Sequence, residues 1–179
     1  MANVKRCFSR IIRRILYGAG TEEFWRHRDR ALAAKTPLGR KYHRWRYSRI
    51  AYKNGSSIPD AARIDGHLVM PHGMSGVFVS QGAVIGKNCT VFQQVTIGSN
   101  TVAGSKTFGA PTLGDDVYIG AGAKIIGGVH VGNRVRIGAN CVVTQDVPDD
   151  CTVVLEHPRI IVRRPGGDNV FRSFGDAGK

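Results

Sequence analysis

The chain has 179 residues, and 42% of them are hydrophobic. This is enough for one globular domain with its own core and a small appendage. The formal net charge of +13 is unevenly distributed, because residues 1–53 hold 15 of the 26 Lys and Arg and only 3 of the 13 Asp and Glu. The other 126 residues are nearly neutral. A cationic head of this kind favours an anionic partner such as lipid headgroups, nucleic acid or an acidic polymer.

The N-terminal region, residues 1–55, is predicted to be basic and mostly helical. Residues 3–18 place apolar side chains on one helical face, and a second helix is expected from Thr21 to about Lys35. Residues 40–53 then mix cations with aromatic residues. The apolar run at 11–16 contains two arginines and is too short for a secretory or membrane-spanning segment. We therefore expect a cytoplasmic protein, with the inner membrane face as a further location.

From residue 58 the pattern changes to a period of six. Aliphatic residues recur at Ile58, Ile64, Met70, Val79, Ile85, Val91, Ile97, Leu113, Ile119, Ile125, Val131, Ile137 and Val143. A small or apolar residue follows four positions after nearly every one of them, and glycine often follows directly. This pattern is typical of hexapeptide repeats. It predicts an all-β core, a left-handed parallel β-helix over residues 56–161, with a flexible tail over 162–179.

Two interruptions of the repeat attract functional interest, because binding and catalytic residues often lie where a regular scaffold is broken. The first is a three-residue slip around Pro71-His72-Gly73. The second is the segment between Gly98 and Pro111, which is too long for a hexapeptide turn. We call this segment the excursion.

Residues from about 56 to 161 resemble the serine acetyltransferase branch of the hexapeptide acyltransferases, in particular members associated with surface-polysaccharide biosynthesis. The resemblance lies in three stretches, PHGMSGVFVSQGAVIG, QQVTIG and PTLGDDVYIGAGAKIIGGVHVGNRVRIGANCVVTQDVP. It implies a left-handed β-helix, a homotrimer, and acetyl-CoA bound as acyl donor in the groove between neighbouring subunits.

The resemblance also implies roles for individual residues. His72 matches the catalytic histidine, and acetyl transfer to an alcohol needs a base of this type to take the hydroxyl proton. Asp60 and Asp65 lie near it in the sequence, but neither matches the position of the family's orienting aspartate. The expected acetyl-CoA contacts are the pantetheine-lining Gly120, Ala121 and Ala139, and the cations Arg136, Lys124 and Arg159, which suit the CoA phosphates.

Several positions depart from the family pattern. Ser57 stands where the family has the aspartate that orients the histidine, and Pro71 replaces the aspartate before that histidine. Gly109 and Ala110 stand where an Arg-His pair recognises serine. Because free serine needs charged partners, these departures favour an uncharged sugar hydroxyl as acceptor.

The sequence thus predicts an acetyl-CoA-dependent O-acetyltransferase acting on a sugar or polysaccharide precursor. One alternative is a serine O-acetyltransferase of cysteine biosynthesis, and another is a non-catalytic trimeric scaffold or membrane adaptor. His67 and His72 have the spacing of histidines in γ-class carbonic anhydrases, but a zinc site would need a third histidine roughly two coils earlier, before the β-helix begins, so no metal is expected. For the basic head we expect capping of the β-helix and attraction to an anionic membrane; no nucleic-acid-binding motif is present.

Overall fold

The computed structural model describes residues 20–162. The helix predicted over 3–18 and the tail predicted beyond residue 162 lie outside this range. No helix among the described residues is long and apolar enough to cross a membrane.

Two helices precede the repeats. Helix α1 spans Thr21–Leu32 and helix α2 spans Pro37–Lys53. The first helix ends slightly before the predicted Lys35. The second helix begins with Pro37, and the first helical position is the one where proline is best tolerated. The Thr36 hydroxyl caps this helix by accepting a hydrogen bond from the Gly39 amide at 3.2 Å.

Twelve short strands follow. They are β1 (Arg63–Ile64), β2 (Phe78–Val79), β3 (Val84–Ile85), β4 (Thr90–Val91), β5 (Thr96–Gly98), β6 (Thr112–Leu113), β7 (Tyr118–Ile119), β8 (Lys124–Ile126), β9 (His130–Val131), β10 (Arg136–Ile137), β11 (Val142–Val143) and β12 (Thr152–Val153). All pairings are parallel and form three sheets: sheet I is β1-β3-β6-β9, sheet II is β4-β7-β10-β12 and sheet III is β2-β5-β8-β11. The chain visits sheets I, II and III in turn, so three hexapeptides make one triangular coil of the predicted β-helix.

The register shows how the two interruptions are accommodated. Phe78 pairs with Thr96, 18 residues further along the chain, which is one regular coil. Ser57 pairs with Phe78, 21 residues away, and Val84 pairs with Thr112, 28 residues away. The three-residue slip and the excursion therefore bulge out of the wall, while the strands on either side stay aligned.

The inward-facing positions form one continuous core. Of the 13 aliphatic residues with period six, Ile64 is partly buried and the others are buried, as are their small or apolar partners four positions on. Each fully buried aliphatic side chain stabilises the fold by about 1.5–3 kcal/mol. Phe24, Tyr47 and Ile50 of the helices join the same core, so the helices close the first coil. The aromatic capping expected from the sequence is thus made by Tyr47, whereas Trp45 is 54% exposed.

The conformation of the turns between strands explains why Asn, Asp and Gly recur there in the sequence. Asn88, Asp116 and Asn140 have φ values of 54°, 58° and 59°, and Gly122 occupies an equivalent turn position with φ of 72°. Only glycine adopts this left-handed region freely, and Asn and Asp tolerate it better than other residues. Asn, Asp or Gly therefore occupies most of these corners, and Gln94 and Arg134 adopt the same conformation, with φ of 62° and 56°.

Candidate active site

His72 lies on the edge where sheet II meets sheet III. The turns that follow β4, β7 and β10 stack there, because those strands stack in one sheet and β5, β8 and β11 stack in the next. Backbone hydrogen bonds join successive turns, from the amide of Gln94 to the carbonyl of Ser75, of Gly122 to Gln93, and of Asn140 to Ala121. We call this stack of turns the II–III edge.

The His72 ring is exposed and held by two neighbours from the next turn. Its Nδ1 is 2.9 Å from Oε1 of Gln93, and its ring packs edge-on against Phe92, with centroids 5.1 Å apart and planes at 86°. A carboxamide oxygen only accepts hydrogen bonds, so Nδ1 carries the proton in this contact. Nε2 then keeps its lone pair and is the nitrogen available to act as a base.

Gln93 was missed as a site residue by the sequence reasoning, although it lies in the QQVTIG stretch that carries the resemblance. The two aspartates considered near His72 are engaged elsewhere. Asp60 accepts hydrogen bonds from Nε and Nη2 of Arg44 at 3.0 and 2.5 Å, and Asp65 is 3.6 Å from Nζ of Lys87. The contact that orients His72 in this structure is therefore made by an amide.

The three residues expected to line a pantetheine channel lie on the same edge as His72. Gly120 has no room for a side chain, since a Cβ there would lie 2.7 Å from the amide nitrogen of Ala139. The backbone amides of Ala121 and Ala139 donate no hydrogen bond to any residue within 20–162. The edge is thus a narrow track of small residues with two amides available to an extended, amide-bearing ligand.

The three cations expected to bind the CoA phosphates differ in their position relative to the II–III edge. Lys124 projects from sheet III beside the edge, with Nζ 3.2 Å from the Gly122 carbonyl, and Arg136 is exposed on sheet II. Arg136 lines a cleft of about 470 Å³ together with Asp116, Tyr118, Arg134, Asp150 and Thr152. Arg159 is exposed beyond β12, and no contact within the described residues holds it against the edge.

The excursion lies at another corner. It leaves sheet III after β5 and returns to sheet I at β6, so its base is on the III–I edge. The backbones of Asn100 and Gly109 pair across that base, and Val102 and Phe108 are 67% and 62% exposed. The two interruptions of the repeat therefore do not meet within one chain.

The His67–His72 spacing does not produce a metal site. His67 places Nε2 2.9 Å from Asp29 Oδ2 and stacks on Trp25, with ring centroids 4.9 Å apart, whereas His72 contacts Gln93. Among residues 20–162, no group of three His, Cys, Asp or Glu side chains is arranged to hold a metal ion.

Comparison with known proteins places this geometry in context. A family model described as bacterial transferase hexapeptide (six repeats) matches residues 110–145. A serine acetyltransferase of Synechococcus elongatus is 42% identical over 109 residues, covering 61% of this chain and 43% of that protein. A serine acetyltransferase of Staphylococcus aureus is 38% identical over 150 residues, covering 83% of this chain and 67% of that protein.

Solved structures agree with the sequence relatives. The Neisseria gonorrhoeae serine acetyltransferase in complex with serine superposes with a TM-score of 0.58 at 31% identity, covering 75% of this chain and 52% of that one. A serine acetyltransferase in complex with CoA superposes with a TM-score of 0.55 at 29% identity, covering 73% and 50%.

The fold and the II–III edge define a hexapeptide-repeat transferase. Given its identity to the Staphylococcus relative over two thirds of that protein, the chain belongs to the serine acetyltransferase family of these enzymes. It spans only about half of the solved neighbours and 43% of the Synechococcus relative.

The comparisons correct the predicted acceptor. The expectation of a sugar or polysaccharide precursor is wrong, because the relatives and the structural neighbours are serine acetyltransferases. That expectation relied on the missing charges at Gly109 and Ala110. It assumed that a serine site must take its charges from those two positions of the excursion, whereas charged groups can reach a site from other elements.

Proposed function

We propose that this chain is a serine O-acetyltransferase, which transfers the acetyl group of acetyl-CoA to the hydroxyl of L-serine. The observation that carries the proposal is the His72–Gln93 contact on the II–III edge, with Nε2 of the imidazole free beside a track of small residues. The names of the relatives, and the serine and CoA complexes of two structural neighbours, support the choice of donor and acceptor.

The proposed reaction is a direct transfer. Nε2 of His72 removes the hydroxyl proton as the serine oxygen attacks the thioester carbonyl carbon, and a backbone amide on the edge stabilises the resulting oxyanion. The intermediate then collapses as the carbon–sulfur bond breaks. The departing thiolate takes the proton back from His72, which leaves O-acetylserine and CoA. Gln93 holds the imidazole in the tautomer that this proton transfer requires.

For acetyl-CoA, the fit of the edge is the main support. The amides of Ala121 and Ala139 are free to donate hydrogen bonds to the carbonyl groups of a pantetheine arm, and the small side chains of these two residues let that arm lie close to the edge. Lys124 and Arg136 flank the edge on two sheets and are assigned to the phosphates, where their charge lowers the cost of holding an anion. Arg159 is a weaker assignment, since no contact of this chain fixes it there.

A homotrimer would complete the site. His72 lies on the II–III edge and the excursion on the III–I edge, so both belong to one cleft only if a neighbouring copy supplies its excursion. The excursion carries Lys106, an exposed cation suited to the carboxylate of L-serine. We propose that this lysine of the neighbouring copy replaces the charge that is missing at Gly109 and Ala110.

Thiol release from acetyl-CoA, with mass-spectrometric detection of the product, tests the proposal. L-serine is compared with ethanolamine, which lacks the carboxylate, and with 3-hydroxypropionate, which lacks the ammonium. We expect L-serine to be acetylated preferentially. His72→Ala is expected to lower kcat by about 10²–10⁴-fold, whereas His130→Ala, which removes an exposed side chain on sheet I away from the II–III edge, leaves it unchanged.

Calorimetry with CoA separates two kinds of failure. If CoA binds but L-serine is not acetylated, the acceptor is wrong while the donor stands. If CoA does not bind to the full chain, the whole reaction is wrong.

A further inference from the structure

Helix α2 has two opposite faces of different character. Tyr47, Ile50 and Ala51 are buried against α1 and the first coil. On the other side lie Leu38, Lys41, Tyr42, Trp45, Arg49 and Tyr52, which we call the outer face of α2. At 100° per residue these six side chains fall within an arc of about 60° on either side of Leu38. The aromatic residues of this helix are thus divided between the core and solvent.

The outer face exposes large apolar and aromatic surface. Leu38 is 79% exposed, Tyr42 51%, Trp45 54% and Tyr52 84%. Tyr42 and Trp45 are neighbours, with ring centroids 6.4 Å apart, and the Arg49 guanidinium lies 5.9 Å from the Trp45 ring centroid. Neighbouring exposed apolar and aromatic side chains of this kind often mark an interaction site. Folding of the described chain leaves it uncovered.

The charge of the helix identifies the kind of partner. Helix α2 has six Lys and Arg and no Asp or Glu. Arg44 and Arg46 are neutralised by Asp60 and Glu23, but Lys41, Arg49 and Lys53 form no ion pair with any described residue. The sequence of residues 1–19 adds five more cations and no acid. A partner for this surface must therefore be anionic and must also accept Leu and Trp side chains.

We propose that the outer face of α2 docks on an anionic lipid membrane surface. The indole and phenol rings would lie at the level of the headgroups, where an apolar ring body and a polar edge are both satisfied. Lys41, at one border of the aromatic stripe, and Arg49, within it beside Trp45, would contact lipid phosphates. The core packs against the opposite side of the helix, so docking on the outer face leaves that packing in place. This inference is independent of the proposed acetyl transfer.

Vesicle co-sedimentation of the full chain tests the proposal. We expect binding to vesicles of phosphatidylglycerol and phosphatidylcholine, little binding to phosphatidylcholine alone, and a marked loss at 1 M salt. Lys41→Glu combined with Arg49→Glu should weaken the partition coefficient at least about 25-fold, since each removed cation weakens it about fivefold. The control is Arg63→Glu, which changes one exposed charge on sheet I, away from helix α2. Its effect on vesicle binding is compared with that of the single variant Arg49→Glu.

Tryptophan fluorescence locates the contact. Lipids brominated near the headgroup should quench Trp45, which is exposed, and should leave Trp25, which is 4% exposed, almost unaffected. Trp45→Phe should therefore remove most of the quenching while binding is retained. The charge variants should still acetylate L-serine in solution, which keeps this test separate from that of the proposed function.

Three results would overturn the proposal. Equal vesicle binding by the double variant and the unaltered chain would exclude the outer face as the docking surface. Tighter binding to an oligonucleotide than to the anionic vesicles would assign the face to nucleic acid. The third result has two parts: the unaltered chain does not bind vesicles, and Trp45→Ser loses an assembly that the unaltered chain forms. In that case the outer face of α2 would bind a second copy of the chain.

Discussion

At the scale of single residues, the candidate base depends on one hydrogen bond. His72 is exposed at a turn, and the described contacts of its imidazole are the Gln93 carboxamide and the Phe92 ring. An aspartate would hold the ring and also stabilise the imidazolium formed during proton transfer, whereas a glutamine only holds it. The role proposed for Gln93 is therefore to position the imidazole by fixing its tautomer and direction.

Gln93→Leu should lower kcat of the proposed reaction by about 10-fold to 100-fold, because the imidazole loses the contact that keeps Nε2 unprotonated and directed into the cleft. The KM for acetyl-CoA should change little. Gln93→Glu, which keeps an acceptor for Nδ1, should restore most of kcat. Steady-state kinetics measures both effects.

The matched control for that prediction is Gln94→Asn. Gln94 follows Gln93 directly and has φ of 62°, a conformation that asparagine tolerates, and its side chain contacts Gly76 rather than His72. A Gln93→Leu enzyme with the kcat of the Gln94→Asn enzyme would show that the hydrogen bond has no role in positioning.

At the scale of the elements, close stacking of the coils requires glycine at position 120, on the edge proposed to bind acetyl-CoA. A methyl group on Gly120 would approach backbone atoms of the next coil, including the Ala139 amide nitrogen at 2.7 Å, and backbone cannot move aside as a flexible side chain can. The glycine at this position is thus explained by the close stacking of the coils alone.

Gly120→Ala should destabilise the chain by about 1–3 kcal/mol, the usual cost of forcing extra volume into a packed site. Urea denaturation measures this change. Gly20→Ala is the control, because no atom lies within 4 Å of a methyl group built there. Equal stabilities of the two variants would mean that the coils relax without cost.

A contact between two histidines of helices α1 and α2 is expected to make the stability of the folded chain depend on pH. Nδ1 of His27 in α1 is 2.8 Å from Nδ1 of His43 in α2, and its Nε2 is 3.8 Å from Glu23. Burial, and next the nearby Arg46, lower the pKa of His27 from its ordinary value of 6.5. The unfolded chain therefore binds a proton at this position at higher pH than the folded chain does.

The stability contributed by neutral His27 is present above pH 6.5 and is lost as the pH falls through the lowered pKa of the folded state. Tm should consequently fall between pH 7.5 and pH 5, and His27→Gln should reduce the size of that fall. His130→Gln, which alters an exposed histidine on β9, should leave it unchanged. Differential scanning calorimetry at the two pH values decides between these outcomes.

At the scale of the whole molecule, the fold could be predicted because packing constrains every sixth residue. The inward positions of stacked coils accept only residues such as Ile119 and Ile125, and this selection is visible as a period in the sequence. Contacts between coils follow the same register, because His72 and Gln93 each lie two residues after a repeat position, Met70 and Val91. The sequence therefore predicts that the two turns are stacked, but not the hydrogen bond that their side chains form.

The acceptor was predicted wrongly for a related reason. The residue types at Gly109 and Ala110 describe one element of one chain, whereas a site at a subunit boundary takes groups from several elements. By contrast, the 100° spacing of residues around a helix predicts that Tyr47 and Trp45 lie on opposite sides of α2. It could therefore have shown that only one of these two rings packs on the core. That information was present in the sequence and was not used.

Assembly gives the last prediction. If the active site forms between neighbouring copies, with His72 from one and the excursion from the next, two different inactive variants should restore each other. One variant is His72→Ala. The other replaces residues 101–108 by a short glycine link, which the paired backbones of Asn100 and Gly109 at the base can hold.

Each variant alone should be inactive as a homotrimer, and sedimentation should show that both still form trimers. Co-expressed in equal amounts, they should give about a quarter of the unaltered activity, since a random trimer combines an intact His72 with an intact neighbouring excursion at one interface in four. Activity that stays at the level of the single variants in mixed trimers would mean that His72 and the excursion do not share a site. The trimer would then serve stability alone, and the acceptor would be recognised within one chain.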